Sequence, residues 1–385
     1  MLAPDAPSIT EFSAKECLSL LMISAPENTT VKSRLLVLWR EMLAHMRGDG
    51  VVYACVAVYT LICFGVLQLY GRWDQSSHTL YFVQWPLLFL WFMPMMAITF
   101  GLVCGIHRFG GNRGRAYRRF FGAKRLARLF AGMVLLMALM IFQGSFTSLK
   151  NMLPILADGF RYDTLHADID RYIHFGYDPW RLLYPLAGHP IVLAVLEWNY
   201  SVLWFVICFA SLFFVATSAW ADGIRTRYIL MFIFVWVFCG NVLAGLFLSA
   251  GPAFYGEVTG DHSRFADQLA FLADGQARSF QLYLWRIYEN GSAGFGSGIS
   301  AFPSVHVGLI TMNALFLSDR FPKLAWLAAA YTMLIVVSSV YLGWHYAIDG
   351  YVSVVVVALA HGLLKSWEAR SQFRSPQAVL IDGKD

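Results

Sequence analysis

The sequence has few charged residues. Asp, Glu, Lys and Arg make up 14% of its 385 residues, against about 25% in an ordinary soluble domain. Hydrophobic residues make up 58%, and the mean hydropathy is +0.56. The length alone would allow two soluble domains, but this balance argues against them. Runs of about 20 apolar residues predict instead one bundle of membrane-spanning helices.

Cysteine is also scarce, and the six cysteines form no CxxC pair. Five of them lie inside apolar runs: Cys55, Cys63, Cys104, Cys208 and Cys239. This placement favours buried thiols over disulfides or a zinc site. We also expect no cleavable signal peptide, because the N-terminus lacks a basic region followed by an apolar one.

Hydropathy predicts an all-α polytopic membrane bundle of about eight spans. The predicted spans are 51–71, 81–106, 129–147, 190–217, 228–250, 304–318, 324–343 and 347–364. The span 304–318 has the weakest support, because it is short and contains Ser304 and His306.

These spans divide the chain into five regions. They are a cytoplasmic segment 1–50, three spans with a basic cytoplasmic loop in 51–147, an outer loop 148–189, a catalytic core 190–365 and a cytoplasmic tail 366–385. Within the first region, an apolar face that includes Leu35, Leu36 and Trp39 is flanked by basic residues. This pattern predicts an amphipathic helix lying on the membrane surface, and a helix packed on the bundle is an equal alternative.

Charge predicts the orientation. The loop from His107 to Arg128 carries eight basic residues and no acidic ones, and the positive-inside rule makes this side cytoplasmic. Because the basic loop lies between two spans, we expect no nucleic-acid partner. With eight spans, residues 148–189 and 251–303 face the outer side of an inner or plasma membrane.

Two short stretches near the C-terminus contain the candidate catalytic residues. The first is Phe302-Pro303-Ser304-Val305-His306, and the second runs from Ser338 to Asp349 and contains His345. The predicted topology puts both at one outer membrane level, although the histidines are 39 positions apart. Two histidines and one carboxylate at a membrane boundary can form a phosphohistidine site.

Each residue type suits a step of phosphoryl transfer. A helix N-terminus attracts anions, Pro303 suits its first turn, and Ser304 can donate a hydrogen bond to a phosphate oxygen. His306 can act as acid or base near neutral pH. On a helix, His345 and Asp349 share a face, and the carboxylate would hold the tautomer that leaves the other ring nitrogen free to attack.

The alternative interpretation is structural. A single histidine in a membrane protein often only satisfies a buried contact, and His45, His107 and His361 are interpreted in this way. The combined spacing, order and membrane side of the two motifs favour catalysis, since ionisable residues within membranes are usually functional.

The two stretches resemble the second and third signature motifs of the type 2 phosphatidic acid phosphatase superfamily. The usual third motif is Ser-Arg, five residues, His, three residues and Asp; here Ser339 replaces the arginine before His345 and Asp349. The first motif, a Lys and an Arg-Pro seven residues apart, is not found. These departures resemble the inositol phosphorylceramide synthase branch, whose YxxxHYxxD pattern fits Tyr341, His345, Tyr346 and Asp349.

The resemblance covers mainly residues 250–362 and implies a six-helix core without a metal or other cofactor. It implies transfer of a phospho-headgroup within the bilayer, from a phospholipid donor to a lipid or glycan acceptor. His345 would be the nucleophile, Asp349 would orient it and His306 would be the acid and base. Two alternatives remain, a phosphatase acting on a lipid phosphate or polyprenyl diphosphate, and a transporter or scaffold without activity.

Other cations must replace those of the missing motif. The order of preference is Arg286, then Lys150 just outside the third span and Arg278, although each could instead be a snorkelling residue. With Ser304, Tyr341 and Tyr346 they complete the predicted substrate-binding set. The glycines of segment 291–298 allow backbone N–H groups to approach a phosphate, or they form a hinge.

The first outer loop contains four aspartates, Asp163, Asp168, Asp170 and Asp178. Their spacing matches no EF-hand, so no metal site is predicted there. We expect this loop to be solvated or to bind a polar headgroup.

Overall fold

The computed structural model of the protein describes residues 31–108 and 122–373. This part of the chain is helical and contains no strand, which confirms the all-α prediction. Its α-helices are Val31–Gly48, Gly50–Leu69, His78–Pro86, Met93–Arg108, Ala123–Leu156, Asp163–Ile173, Pro179–Ala187, Pro190–Trp198, Trp204–Thr217, Arg225–Phe234, Ala244–Leu246, Tyr255–Thr259, Ala266–Leu272, Gln276–Glu289, Val305–Arg320, Ala325–Tyr341 and Ala347–Phe373. Short 3₁₀ helices are Trp73–Gln75, Ala219–Ala221, Pro252–Phe254 and Pro322–Leu324. Predictions for 1–30, 109–121 and 374–385 lie outside the described residues.

Seven helices of the described residues are long and apolar enough to cross a membrane, so the protein is an integral membrane protein. They are Gly50–Leu69, Trp73–Val103, Ala123–Leu156, Pro190–Thr217, Arg225–Leu246, Pro322–Tyr341 and Ala347–Glu368. The remaining predicted span corresponds to Val305–Arg320, which has 16 residues. At 1.5 Å per residue it is ~24 Å long, shorter than the ~30 Å hydrocarbon core.

The N-terminal half of the short helix Val305–Arg320 is enclosed by protein. It packs against Ala325–Tyr341 and Ala347–Phe373, and all six residues from Val307 to Met312 are buried. A helix covered by its neighbours does not need to match the membrane thickness, because protein rather than lipid surrounds it.

Three spans contain a π-helical turn. These turns are Leu87–Phe92, Asn199–Leu203 and Val235–Leu243. A π turn shifts the helix by one residue relative to a regular α-helix and is frequent at functional sites. Aromatic side chains at and beside the turn Asn199–Leu203 contact His306.

The third span is longer than predicted. Hydropathy ends it at residue 147, but the helix continues to Leu156, and Lys150 therefore lies within the helix rather than outside it. The polar residues that lower the hydropathy here are buried or partly buried, and two of them, Ser148 and Asn151, are hydrogen-bonded. Ser148, for example, accepts a hydrogen bond from the Ser77 backbone N–H at 2.9 Å. Tertiary contacts thus allow the helix to continue through a polar stretch.

The described residues divide into two compact units. One contains residues 31–58, 81–108, 122–141 and 212–226, and the other contains 59–80, 142–211 and 227–373. The first unit contains a buried ion pair in which Arg225 contacts Asp49 at 2.6 Å. Leu35, Leu36 and Trp39 of its first helix are exposed, as a membrane-surface helix requires. The second unit contains every predicted site residue.

Candidate active site

His345 and Asp349 form a contacting pair. His345 lies in the turn between Ala325–Tyr341 and Ala347–Phe373, and its Nδ1 is 3.2 Å from Asp349 Oδ2. The Tyr346 backbone N–H donates to the same oxygen at 3.0 Å. Asp349 is fully buried, and its Oδ1 makes no hydrogen bond within the described residues. The carboxylate therefore holds one nitrogen of the ring, as the proposed orienting role requires.

The first motif is joined directly to this pair. The Ser304 backbone N–H donates to the Asp349 carbonyl at 3.1 Å. The Ser353 hydroxyl contacts the Ser304 and Asp349 carbonyls at 2.9 and 2.8 Å. These bonds bring both motifs to one level, although they are distant in sequence. Ser304 is the N-cap of the Val305–Arg320 helix, so Pro303 precedes the helix instead of occupying its first turn.

Two aromatic rings enclose the ring of His306. Tyr200 stacks on it with a centroid distance of 4.6 Å, and Trp204 stacks at 4.0 Å. Trp204 Nε1 also donates to the His306 carbonyl at 3.0 Å. Sequence reasoning missed both residues, since aromatic side chains in a span are ordinarily interpreted as packing. They hold the imidazole in a defined orientation.

Lys150 shares the site with the two histidines. It lies close enough for its positive charge to act on both His306 and His345. The backbone of Gly298 packs on its side chain at a φ of +91°, and a Cβ there would lie 2.8 Å from Lys150 Cγ. Ser297 donates to Asn151 Oδ1 at 2.9 Å and fastens the glycine-rich segment to the same helix. This segment thus covers Lys150.

The two arginines lie on the helix Gln276–Glu289. Arg278 donates to the Ala253 carbonyl at 3.1 Å. Arg286 is exposed, on the side of the helix opposite the buried residues Ala277 and Leu284. The structure brings neither guanidinium into the contacts that join the histidines.

Tyr341 and Tyr346 support the turn that carries His345. The Tyr346 hydroxyl donates to Asp163 Oδ1 at 2.8 Å, and Asp163 also accepts the backbone N–H groups of Ala250 and Gly251, each at 2.8 Å. The carbonyl of the fully buried Tyr341 accepts from the Tyr184 hydroxyl at 3.1 Å.

For three of the four aspartates the prediction of a solvated loop is wrong, whereas Asp168 is exposed. Asp163, Asp170 and Asp178 are buried, and each is paired. Asp170 accepts the backbone N–H groups of Ala347 and Ile348 at 2.5 and 2.8 Å, at the start of the helix that carries Asp349. Arg264 pairs with Asp178 at 2.9 Å and with Asp168 at 2.6 Å. Hydrogen-bond donors of the protein therefore replace water around the three buried carboxylates.

The spacing of polar residues in the sequence could have predicted these buried aspartates. Asp163, His166 and Asp170 are three and four residues apart, and this spacing puts them on one helix face. His166 is buried and its Nδ1 contacts the Ser249 hydroxyl at 3.1 Å. The helical periodicity of polar residues would have indicated a buried polar face rather than a loop.

Burial and charge set the ionisation of the site. Burial, and then the positive charge of Lys150, lower the pKa of His345 from its usual value. The imidazole is therefore neutral near pH 7 and retains a lone pair. Burial raises the pKa of Asp170 to about 7, and the nearby Asp349 contributes in the same direction. A small cavity lined by Asp170, Gln268 and Tyr346 borders His345.

Comparison with known proteins identifies the family. A sequence model described as the PAP2 superfamily matches residues 165–363, more than half of the chain. Comparison with curated proteins and with solved structures gives no match. The matched stretch contains Ser304, His306, His345 and Asp349 together with the helices that join them. On this evidence the protein belongs to the PAP2 superfamily, a family of phosphatase-type membrane proteins.

Proposed function

We propose that this protein is a lipid phosphotransferase that moves a phospho-headgroup from a phospholipid to a lipid or glycan hydroxyl through a phosphohistidine. The observation that carries the proposal is the contact of His345 with Asp349, in a site where the charge of Lys150 reaches both histidines. Ser339, which replaces the usual arginine, donates to its own helix at the Val336 carbonyl and adds no charge. This supports a branch related to inositol phosphorylceramide synthase.

The first half-reaction begins with His345 Nε2 attacking phosphorus. Asp349 accepts the hydrogen bond of Nδ1–H and stabilises the charge that forms on the ring. As the N–P bond forms, the P–O bond to the donor lipid breaks, and His306 gives its proton to the leaving oxygen. In the second half-reaction the acceptor hydroxyl loses its proton to His306 and its oxygen attacks phosphorus, which breaks the P–N bond. Lys150 compensates the phosphate charge in both halves.

The assay that tests this function uses purified protein in vesicles containing a phospholipid labelled in its phospho-headgroup. Candidate acceptors are inositol lipids, ceramide or glycan lipids, each added separately, and a reaction without acceptor is the control. Transfer predicts that the label moves to an acceptor lipid only when that acceptor is present. Release of labelled headgroup into water at the same rate in every reaction would instead show that water is the acceptor and the protein is a hydrolase. Phosphate release from an added lipid phosphate or polyprenyl diphosphate would identify a phosphatase, and no turnover with any of these substrates would favour a scaffold.

The first prediction compares two of the three candidate cations, Lys150 and Arg286. Lys150→Met should lower kcat/KM by about 10²- to 10³-fold, because it removes the positive charge that faces the developing phosphate charge. Arg286→Met is the matched control, since Arg286 lies on an exposed helix face, and it should change kcat/KM by less than about twofold. Steady-state kinetics on the two variants measures both effects, and the reverse order would show that Arg286 holds the phosphate.

The active site is proposed to face the outer side of the membrane. Helix Val305–Arg320 carries His306 at one end and Asp319 at the other, and Asp319 pairs with Lys365 at 2.6 Å and Arg227 at 3.6 Å. Basic residues therefore gather at the end opposite the histidines, which the positive-inside rule places in the cytoplasm.

The second prediction tests this orientation. An impermeant thiol reagent should modify Ser292→Cys in intact cells, because Ser292 is exposed and lies in the segment that covers Lys150. Lys124→Cys, at the start of the third span, should react only after the cells are opened. The unsubstituted protein gives the background from its own cysteines. Labelling of Lys124→Cys but not Ser292→Cys in intact cells would place the active site on the cytoplasmic side.

A further inference from the structure

The last residues of the Asp163–Ile173 helix and the turn that follows it expose three aromatic side chains. Phe175 is 92% exposed, Tyr172 86% and Tyr177 57%. We call residues 172–177 the aromatic turn. Such a concentration of exposed aromatic surface marks a site that contacts a partner or a membrane.

The backbone of the aromatic turn is held in place. The Arg171 side chain donates from Nε to the Gly176 carbonyl at 2.9 Å, and His174 Nδ1 contacts the Asp170 carbonyl at 2.7 Å. Phe175 has a φ of +59°, in the left-handed region that a bulky side chain rarely adopts. Glycine or asparagine would fit this conformation with less strain. The fold itself therefore gives no reason for a phenylalanine, whose ring lies almost fully outside the protein.

The position of the aromatic turn along the membrane normal follows from its contact with a membrane span. His174 Nε2 lies 3.1 Å from the hydroxyl of Tyr351, which is in the second turn of the Ala347–Phe373 helix. Exposed residues continue down this helix at intervals of four: Tyr351, Val355, Leu359 and Leu363. A stripe of exposed apolar residues on a membrane span faces lipid. The aromatic turn stands at the head of this stripe, at the membrane end that carries Asp349.

We propose that the aromatic turn is a membrane-contact site, which inserts the rings of Tyr172, Phe175 and Tyr177 into the boundary between headgroups and acyl chains. The leaflet it contacts is the one that borders His345 and Asp349. Rings that combine an apolar body with a polar tip are enriched at this boundary. Continuity with the lipid-facing stripe favours lipid over a second copy of the chain as the partner. This proposal does not depend on the catalytic activity.

The aromatic turn is connected to the catalytic pair through one short helix. Asp163–Ile173 carries Asp170, which binds the backbone N–H groups of Ala347 and Ile348, and Asp163, which binds the Tyr346 hydroxyl. Insertion of the aromatic turn therefore fixes the depth of His345 relative to the boundary between headgroups and acyl chains. If the proposed function holds, this contact places the phosphate of a membrane lipid at the level of the nucleophile.

Site-directed spin labelling in phosphatidylcholine nanodiscs tests the proposal without any activity assay. Labels are attached to Phe175→Cys and, independently, to Tyr172→Cys. Leu359→Cys, on the lipid-facing stripe, is the reference for lipid, and Asp261→Cys, in an exposed polar turn, is the reference for water. Protein without an added cysteine, labelled in parallel, provides the spectrum to subtract.

Collision with oxygen, which concentrates in lipid, is compared with collision with a water-soluble nickel chelate. The labels at 175 and 172 should have oxygen-to-chelate ratios several-fold above that of the label at 261 and closer to that of the label at 359. Ratios equal to that of the label at 261 would place the aromatic turn in water and overturn the proposal. Labels shielded from both reagents would show that protein, such as a second copy, covers the turn, and would overturn it as well.

Discussion

His345→Ala is expected to lower the rate of phosphoryl transfer by about 10⁴-fold or more. The reason is that Nε2 would form the covalent bond to phosphorus, and no other group in the proposed mechanism can replace it. The backbone N–H of His345 donates to the Ser339 carbonyl, a bond that alanine preserves, so the variant should fold. Initial rates with headgroup-labelled phospholipid measure the loss, and size-exclusion chromatography checks the folded state.

Trapping of the intermediate makes this experiment more specific. Wild-type protein quenched during turnover should carry the labelled phospho-headgroup through a P–N bond that is labile in acid, as expected for a phosphohistidine, and His345→Ala should carry none. His262→Ala is the matched control, because His262 is exposed in another segment, and it should retain activity within about twofold. Retention of more than about a tenth of wild-type activity by His345→Ala would contradict the nucleophile assignment.

Asp349→Asn is expected to lower kcat by about 10⁴-fold, as the comparable change does in a serine protease triad. An amide at this position can donate to Nδ1 and so favour the tautomer whose Nε2 carries the proton and cannot attack. Because the side chain keeps its shape, the protein should fold and KM should change little. Steady-state kinetics separates the two constants. Asp274→Asn, at an exposed position, is the control and should behave as wild type.

Chelator and vanadate, applied to the wild-type protein, distinguish an orienting carboxylate from a metal ligand at position 349. If Asp349 orients His345, activity of the wild-type protein should survive a chelator, and vanadate should inhibit by mimicking five-coordinate phosphorus. Activity that is lost in EDTA, returns with Mg²⁺ or Mn²⁺ and is insensitive to vanadate would contradict the phosphohistidine mechanism. An Asp349→Asn variant that is as active as wild type would contradict the orienting role.

Much of the architecture could be predicted because it depends on local pattern. Long apolar runs predict membrane helices irrespective of their partners, since lipid imposes the same requirement on each one. The all-α bundle follows from this rule, and seven of the eight predicted spans have the length to cross. The exception, Val305–Arg320, is shorter and packs against Ala325–Tyr341 and Ala347–Phe373. This packing is a property of its neighbours as well as of the helix.

The features of the candidate site also divide into those that the sequence predicts and those that depend on tertiary packing. The sequence by itself determined the membrane bundle and the two motifs with Ser304, His306, His345 and Asp349, whose chemistry depends on residue type and short spacing. Only the tertiary structure decided which groups surround them. It brought the charge of Lys150 close to the histidines and left Arg286 on an exposed helix face. It also stacked Tyr200 and Trp204 on His306, and it buried Asp163 and Asp170 beneath the turn that carries His345. These contacts join segments far apart in the chain, and they depend on how the helices pack and rotate, which local sequence patterns do not encode.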